Sequence, residues 1–187
     1  QMCIRDRLII VDCSGIDRTG DLAEQLAGFP VIYIDHHATN TVKVPGSLIY
    51  AEAPSATFII QTIIETMSGS VTKDEAELLF FGLCTDTGYF RHLDERSAEV
   101  FMHAARLVQV GVNPKYVFAQ INGGKSFGSR ILLSRVLSRM QPYYNGKLIV
   151  SYETLADRQE FGVENRDSDM AYQLIQGIAG VKAICIV

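Results

Sequence analysis

Two histidines stand directly behind an aspartate in Asp35-His36-His37, at the end of the β-rich apolar run Val31–Ile34. Neutral imidazole binds Mn²⁺, Fe²⁺ or Zn²⁺, and a neighbouring carboxylate favours the harder of these ions. Alone, the triplet slightly favours an exposed turn, because Asp and His are ordinary loop residues. Asp12 shifts the balance, since it ends the preceding apolar run, Leu8–Val11. Asp86, in Thr85-Asp86-Thr87-Gly88, is a third carboxylate, expected in a turn that follows a helix. Each aspartate has an everyday role as a turn or cap residue. Three that converge on one crevice favour a metal site, where divalent ions activate a water and draw charge from a phosphoryl oxygen.

The convergence rests on the elements that carry these residues. Between the two apolar runs lies Gly20–Gly28, a short helical pattern closed by its last glycine. Strand, helix, strand with continuous apolar strands predicts a parallel βαβ unit, its strands buried on both faces. Asp12 and Asp35 then emerge at the carboxyl ends of neighbouring strands, where open α/β sheets bind their ligands. Downstream, Ser55–Met67 reads as a largely buried helix with Ser55 as N-cap. Thr72-Lys73-Asp74-Glu75 is a capping box that opens a helix leading to Gly82–Gly88. A helix from about Asp94 should end at Gly111, and Asn113-Pro114 opens another. Ser126–Met140 is expected to be helical, and Tyr144-Asn145-Gly146-Lys147 to turn a hairpin between Pro142–Tyr144 and Leu148–Tyr152.

Composition narrows the function classes. The 187 residues are 48% hydrophobic and 20% charged, a globular balance that excludes disorder as the main state. A net charge of −4 without a long basic run argues against duplex DNA as a partner. No apolar run approaches the roughly 20 residues that span a bilayer. Four scattered cysteines, with no Cys-x-x-Cys pair, suit a reducing cytoplasm. Residues 1–7 read as a non-native leader, and Val181–Val187 stops within an expected strand, so both ends look cut. The segmentation is therefore a leader at 1–7, a first domain at 8–111, a helical linker at 112–140 and the beginning of a second domain at 141–187. Gly124-Lys125-Ser126 looks like the end of a Walker A loop, but no strand precedes it, and a helix start is expected there. His103 reads as a packing residue within a helix. Cys13 and Cys84 read as small buried side chains with no redox role.

The strand-ending Asp12, Asp35-His36-His37 and Gly82-Leu83-Cys84-Thr85-Asp86-Thr87-Gly88-Tyr89-Phe90-Arg91 together resemble the DHH phosphoesterases, in order and in spacing, over residues 8 to 187. The Thr-Asp-Thr-Gly-x-Phe-Arg form is most similar to the subgroup of nano-RNases and 3′-phosphoadenosine-5′-phosphate phosphatases. The resemblance implies an α/β fold, a parallel-sheet DHH domain followed by the start of a smaller α/β DHH-associated domain, with substrate in the crevice between them. It implies a two-ion Mn²⁺ centre. Asp12 would bridge both ions, and His36 and Asp86 would ligate the second. His37 would contact the scissile phosphate or leaving group, and Asp35 would orient the histidines. Arg91 is a candidate phosphate contact, with a surface salt bridge as its everyday alternative.

Two departures matter. The family's first motif, His-x-x-x-Asp-x-Asp, is absent, and so is its Gly-Gly-rich substrate motif; Asp167-Ser168-Asp169 reads as a helix start. This chain is therefore expected to hold at most one ion and not to catalyse at a useful rate. The expected parent is a cytoplasmic Mn²⁺-dependent phosphoesterase, an exonuclease of short RNA oligonucleotides or a phosphatase of small phosphorylated nucleotides. It would have no membrane partner, and a homodimer is compatible. The rivals are a cyclic-dinucleotide phosphodiesterase, a pyrophosphatase, a RecJ-type exonuclease and a non-catalytic nucleotide-binding module.

Overall fold

Strand β1 (Leu8–Val11) and strand β2 (Val31–Asp35) pair in parallel, with Val11 opposite Ile34. A two-residue strand, β3 (Leu48–Ile49), continues the sheet on the far side of β2 in the order β1-β2-β3. The computed structural model describes residues 7–39, 42–164 and 167–187, so the expected leader lies outside it except for Arg7. The chain divides into two units, one up to Ile121 and one from Asn122.

In the first unit, the crossover from β1 to β2 is a 3-10 segment (Ile16–Leu22), kinked at Gly20, followed by the short helix α1 (Ala23–Leu26). The expectation of strands buried on both faces fails for β1, where Ile9 and Val11 are 54% and 48% exposed. These two side chains share a face with Ile34, by the two-residue alternation of a strand. Helix α2 (Ala56–Ser68) covers that face at β2 through Ile59, which packs with Ile34 and Ala53. Among the described residues the cover stops there and leaves β1 bare. The opposite face buries Ile10 and Tyr33.

Three further helices make the main core. Thr72 caps α3 (Lys73–Asp86) in the expected box, its hydroxyl accepting from the Glu75 amide while Glu75 accepts from the Thr72 amide. Ala76, Leu79, Phe80, Leu83 and Cys84 recur at helical spacing and form one inward stripe. Against it pack Val100, Ala104 and Leu107 of α4 (Ala98–Val110) and Val117 of α5 (Pro114–Asn122). Leu83 and Leu107 are almost wholly buried, each stabilising the fold by about 2–3 kcal/mol. The start of α4 is later than Asp94 because a turn intervenes, in which Asp94 accepts from the Arg96 amide and Ser97 Oγ accepts from the Asp94 amide. His103 is a buried packing residue, stacked on Phe58 at 3.9 Å.

The second unit contains α6 (Phe127–Ser138), β4 (Gln141–Tyr143), β5 (Leu148–Ser151), α7 (Leu155–Phe161), α8 (Ser168–Gln176) and β6 (Ala183–Ile186). The β4–β5 hairpin forms as expected, its turn taking positive φ at Tyr144, Asn145 and Gly146. Strand β6 runs parallel to β5, and Val136, Ile149, Ala171, Ile175 and Ile186 form the core. The stretch 112–140 is thus not one linker: α5 belongs to the first core and α6 to the second. Ser126 caps α6, and Asp167 precedes α8. Asp157, almost fully buried, binds Arg139 and Arg135 and completes the capping box of Thr154. The Arg139 guanidinium first, then the Thr154 hydroxyl, hold its carboxyl far below the usual carboxylate range.

Candidate metal centre

Parallel pairing in register carries Asp12 and Asp35 to the same end of adjacent strands, and the Asp12 amide still donates to the Ile34 carbonyl at 3.0 Å. Asp12 takes a left-handed backbone, φ 58°. This region costs most side chains about 1–2 kcal/mol but is tolerated by Asp and Asn. Asp35 is fully buried. Its Oδ1 accepts from the His36 amide at 2.8 Å, the His37 amide at 3.4 Å and His37 Nδ1 at 2.7 Å. One buried carboxylate thereby fixes the backbone turn and one imidazole together. The Asp35 hydrogen bond raises the pKa of His37 above its ordinary value; partial burial opposes this, the charges of Asp35 and Asp12 assist, and Arg18 pulls the other way.

His36 Nδ1 lies 3.3 Å from the Ala53 carbonyl, which can only accept, so the neutral ring carries its proton on Nδ1. The bare Nε2 then faces Asp12 Oδ1 at 3.3 Å and Asp86 Oδ2 at 3.7 Å. Three acceptors pointed at one volume repel unless a cation or a proton lies between them. One imidazole nitrogen with two carboxylate oxygens is a donor set suited to Mn²⁺, Fe²⁺ or Zn²⁺. Donor atoms of Asp12, His36 and His37 also lie within 4.8 Å of one another. The residues present therefore fit a divalent ion.

Asp86 comes from the helical layer and is the last residue of α3, not part of the turn beyond it. Its approach depends on Gly82, one turn earlier, where a Cβ would meet the Thr57 methyl of α2 at 2.4 Å. The residues after it are locked in place. Thr87 Oγ1 donates to the Leu83 carbonyl and accepts from the Phe90 amide, and Tyr89 donates its hydroxyl to the Pro114 carbonyl at 2.6 Å. Those bonds hold Tyr89 and Phe90 at positive φ, 57° and 69°, a strain that persists only under such constraint. Burial first, and then the charge of Asp12, raises the pKa of Asp86, against the pull of both histidines.

The structure thus brings together Asp12, His36, His37 and Asp86, with Asp35 behind them. Arg91 is placed otherwise: its Nε donates to the Gly88 carbonyl at 2.6 Å, and it does not line the cavity beside the cluster. That cavity, about 480 Å³, is lined by Asp12, Cys13, Ser14, Arg18, His37 and Thr39. Arg18 was missed by sequence reasoning. The signal that could have found it is its position in the loop leaving β1, at the ligand-binding end of the sheet.

No protein-family model matches the chain. Its α/β architecture is similar to the crystal structure of an exopolyphosphatase-related protein from Bacteroides fragilis, with a TM-score of 0.86 and 22% identity over 94% of this chain. The chain spans 53% of that protein's length, about half, and the likeness is one of fold. Among the described residues no helix is long and apolar enough to cross a membrane.

Proposed function

We propose that this chain carries the metal centre of a DHH-type phosphoesterase. The observation that carries the reading is the convergence of Asp12 Oδ1 and Asp86 Oδ2 on one nitrogen, His36 Nε2, at 3.3 and 3.7 Å. Asp12, His36 and Asp86 would hold one Mn²⁺ ion, and a two-ion centre would belong to the whole enzyme. When bound, the metal supplies Lewis-acid polarisation of a phosphoryl oxygen and lowers the pKa of water beside it. The chain's own residues do the rest. His37, its Nδ1 bound to Asp35 at 2.7 Å, lines the cavity as a group that can contact the scissile phosphate or protonate a leaving oxygen. Asp35 keeps the ring in that orientation and tautomer. The substrates are short oligoribonucleotides or 3′-phosphoadenosine 5′-phosphate, consistent with an acidic chain that lacks a basic stripe for long strands. The fold similarity to an exopolyphosphatase-related protein supports a phosphohydrolase and makes polyphosphate a second substrate to assay.

The test is Mn²⁺ titration of this chain by calorimetry, alongside Asp12→Ala and Asp86→Ala. One ion bound by the wild type, lost in Asp12→Ala and weakened in Asp86→Ala, is the expected result. Absence of binding to the wild type, or equal binding by Asp12→Ala, overturns the assignment. Nucleotide binding without any metal binding would favour a non-catalytic nucleotide-binding module.

A further inference from the structure

Arg96, Arg106, Arg130, Arg135, Arg139 and Arg158 each hold a carboxylate. Arg18 differs. Among the described residues its guanidinium has no carboxylate or carbonyl partner, although it shares a cavity with the carboxylate of Asp12. Its backbone is held, since its amide donates to the Gly15 carbonyl at 3.2 Å and the Thr19 hydroxyl donates to the Ile16 carbonyl at 2.6 Å. A cationic fork therefore projects from a fixed turn at the same strand end as the metal cluster. The remaining lining includes the hydroxyls of Ser14 and Thr39, which can donate to an anion, and the ring of His37. At about 480 Å³ the cavity falls within the size range of ligand sites.

We propose that Arg18, in place of Arg91, binds a phosphate group of a nucleotide substrate in the cavity beside Asp12 and His37. This rests on the phosphoesterase reading and adds its substrate-binding residue. A planar guanidinium meets two phosphate oxygens at once, which an ammonium cannot do. Asp12 repels an anion from the same cavity; Arg18 offsets that repulsion, and a cation beside His36 would offset it further. The substrate class that follows is a nucleotide with a phosphate beyond the one that reacts, as in a short oligonucleotide or a nucleoside bisphosphate.

The probe is adenosine 5′-monophosphate, a product common to both substrate classes, titrated by calorimetry with and without Mn²⁺. Arg18→Gln should weaken its binding about 10- to 100-fold, and Arg18→Lys should lose less, as expected for charge without the fork. Mn²⁺ affinity, measured separately, should be the same in Arg18→Gln and wild type. Equal nucleotide affinity in Arg18→Gln, no nucleotide binding by the wild type, or a loss confined to Arg91→Gln overturns the proposal. A wild type that binds nucleotide through Arg18 but no Mn²⁺ keeps this site and refutes the metal reading instead.

Discussion

Replacing Asp12 by Asn separates charge from shape, because both residues tolerate the left-handed backbone found at φ 58°. Oxygens of Asp12 and Asp86 lie 3.3 and 3.7 Å from one nitrogen, His36 Nε2. They are therefore at most about 7 Å apart, where two like charges repel by roughly 0.5–2 kcal/mol at effective dielectrics of about 80 to 20. The Asp12 side chain is 52% exposed, which selects the lower part of that range, about 0.5–1 kcal/mol. In EDTA at pH 8, Asp12→Asn should then melt about 1–4 °C above the wild type. With Mn²⁺ at a hundred times the wild-type Kd, the wild type gains about 2.7 kcal/mol. A variant that binds about tenfold more weakly gains only about 1.4 kcal/mol at the same concentration. The order of melting temperatures should invert on adding metal. Scanning calorimetry of both proteins in both buffers is the assay. A variant less stable than wild type in EDTA, or an equal Mn²⁺ shift in the two proteins, would refute the reasoning.

Three further outcomes follow from the packing around the site. Gly82→Ala gains roughly 1 kcal/mol of helix propensity. It should still destabilise the chain by about 1–2 kcal/mol through contact with the Thr57 methyl. Thr57→Ser, which removes that methyl and keeps the hydroxyl bond to Ser55, should rescue most of the loss in urea melts; additive losses would place the strain elsewhere. Burial lowers the pKa of His103, helped by Arg106 and opposed by the Glu99 carbonyl and the charges of Glu65 and Glu99. Its stabilising contribution is thus complete above about pH 6.5, the unfolded value, and falls away as pH drops towards the folded value. The stability difference between wild type and His103→Gln should shrink across that interval, and a flat difference from pH 7 to 5 would count against it. Burial also pushes the Cys84 thiol up to about 12, so a thiol reagent at pH 8 should label exposed Cys185 and partly exposed Cys13 long before Cys84. Early mass-spectrometric labelling of Cys84 would contradict its burial.

Much of this protein is local chemistry and was legible in order along the chain. Ser55 and Thr72 satisfy the first amides of their helices with their own hydroxyls, and Tyr144-Asn145-Gly146 adopts the positive φ a tight hairpin needs. The meeting of Asp12 with Asp35-His36-His37 was legible too, because two apolar strands joined by a short crossover pair in parallel and end together. What lay beyond sequence reasoning depends on contacts between distant segments. That Asp86 faces His36 follows from how closely α3 lies against α2 at Gly82, a matter of one missing Cβ. That β1 stays bare at Ile9 and Val11 follows from the reach of α2, which no periodicity within β1 reports. The choice between Arg18 and Arg91 is of the same kind. Both are exposed arginines near a motif, and only the folded backbone turns one to the Gly88 carbonyl and the other into the cavity. The sequence by itself determined which residues could bind a metal and which strand ends would carry them, because those are properties of side-chain chemistry and hydrogen bonding along the chain. Tertiary structure alone decided which donors share one volume, because that distance is the sum of packing contacts contributed by every layer between them.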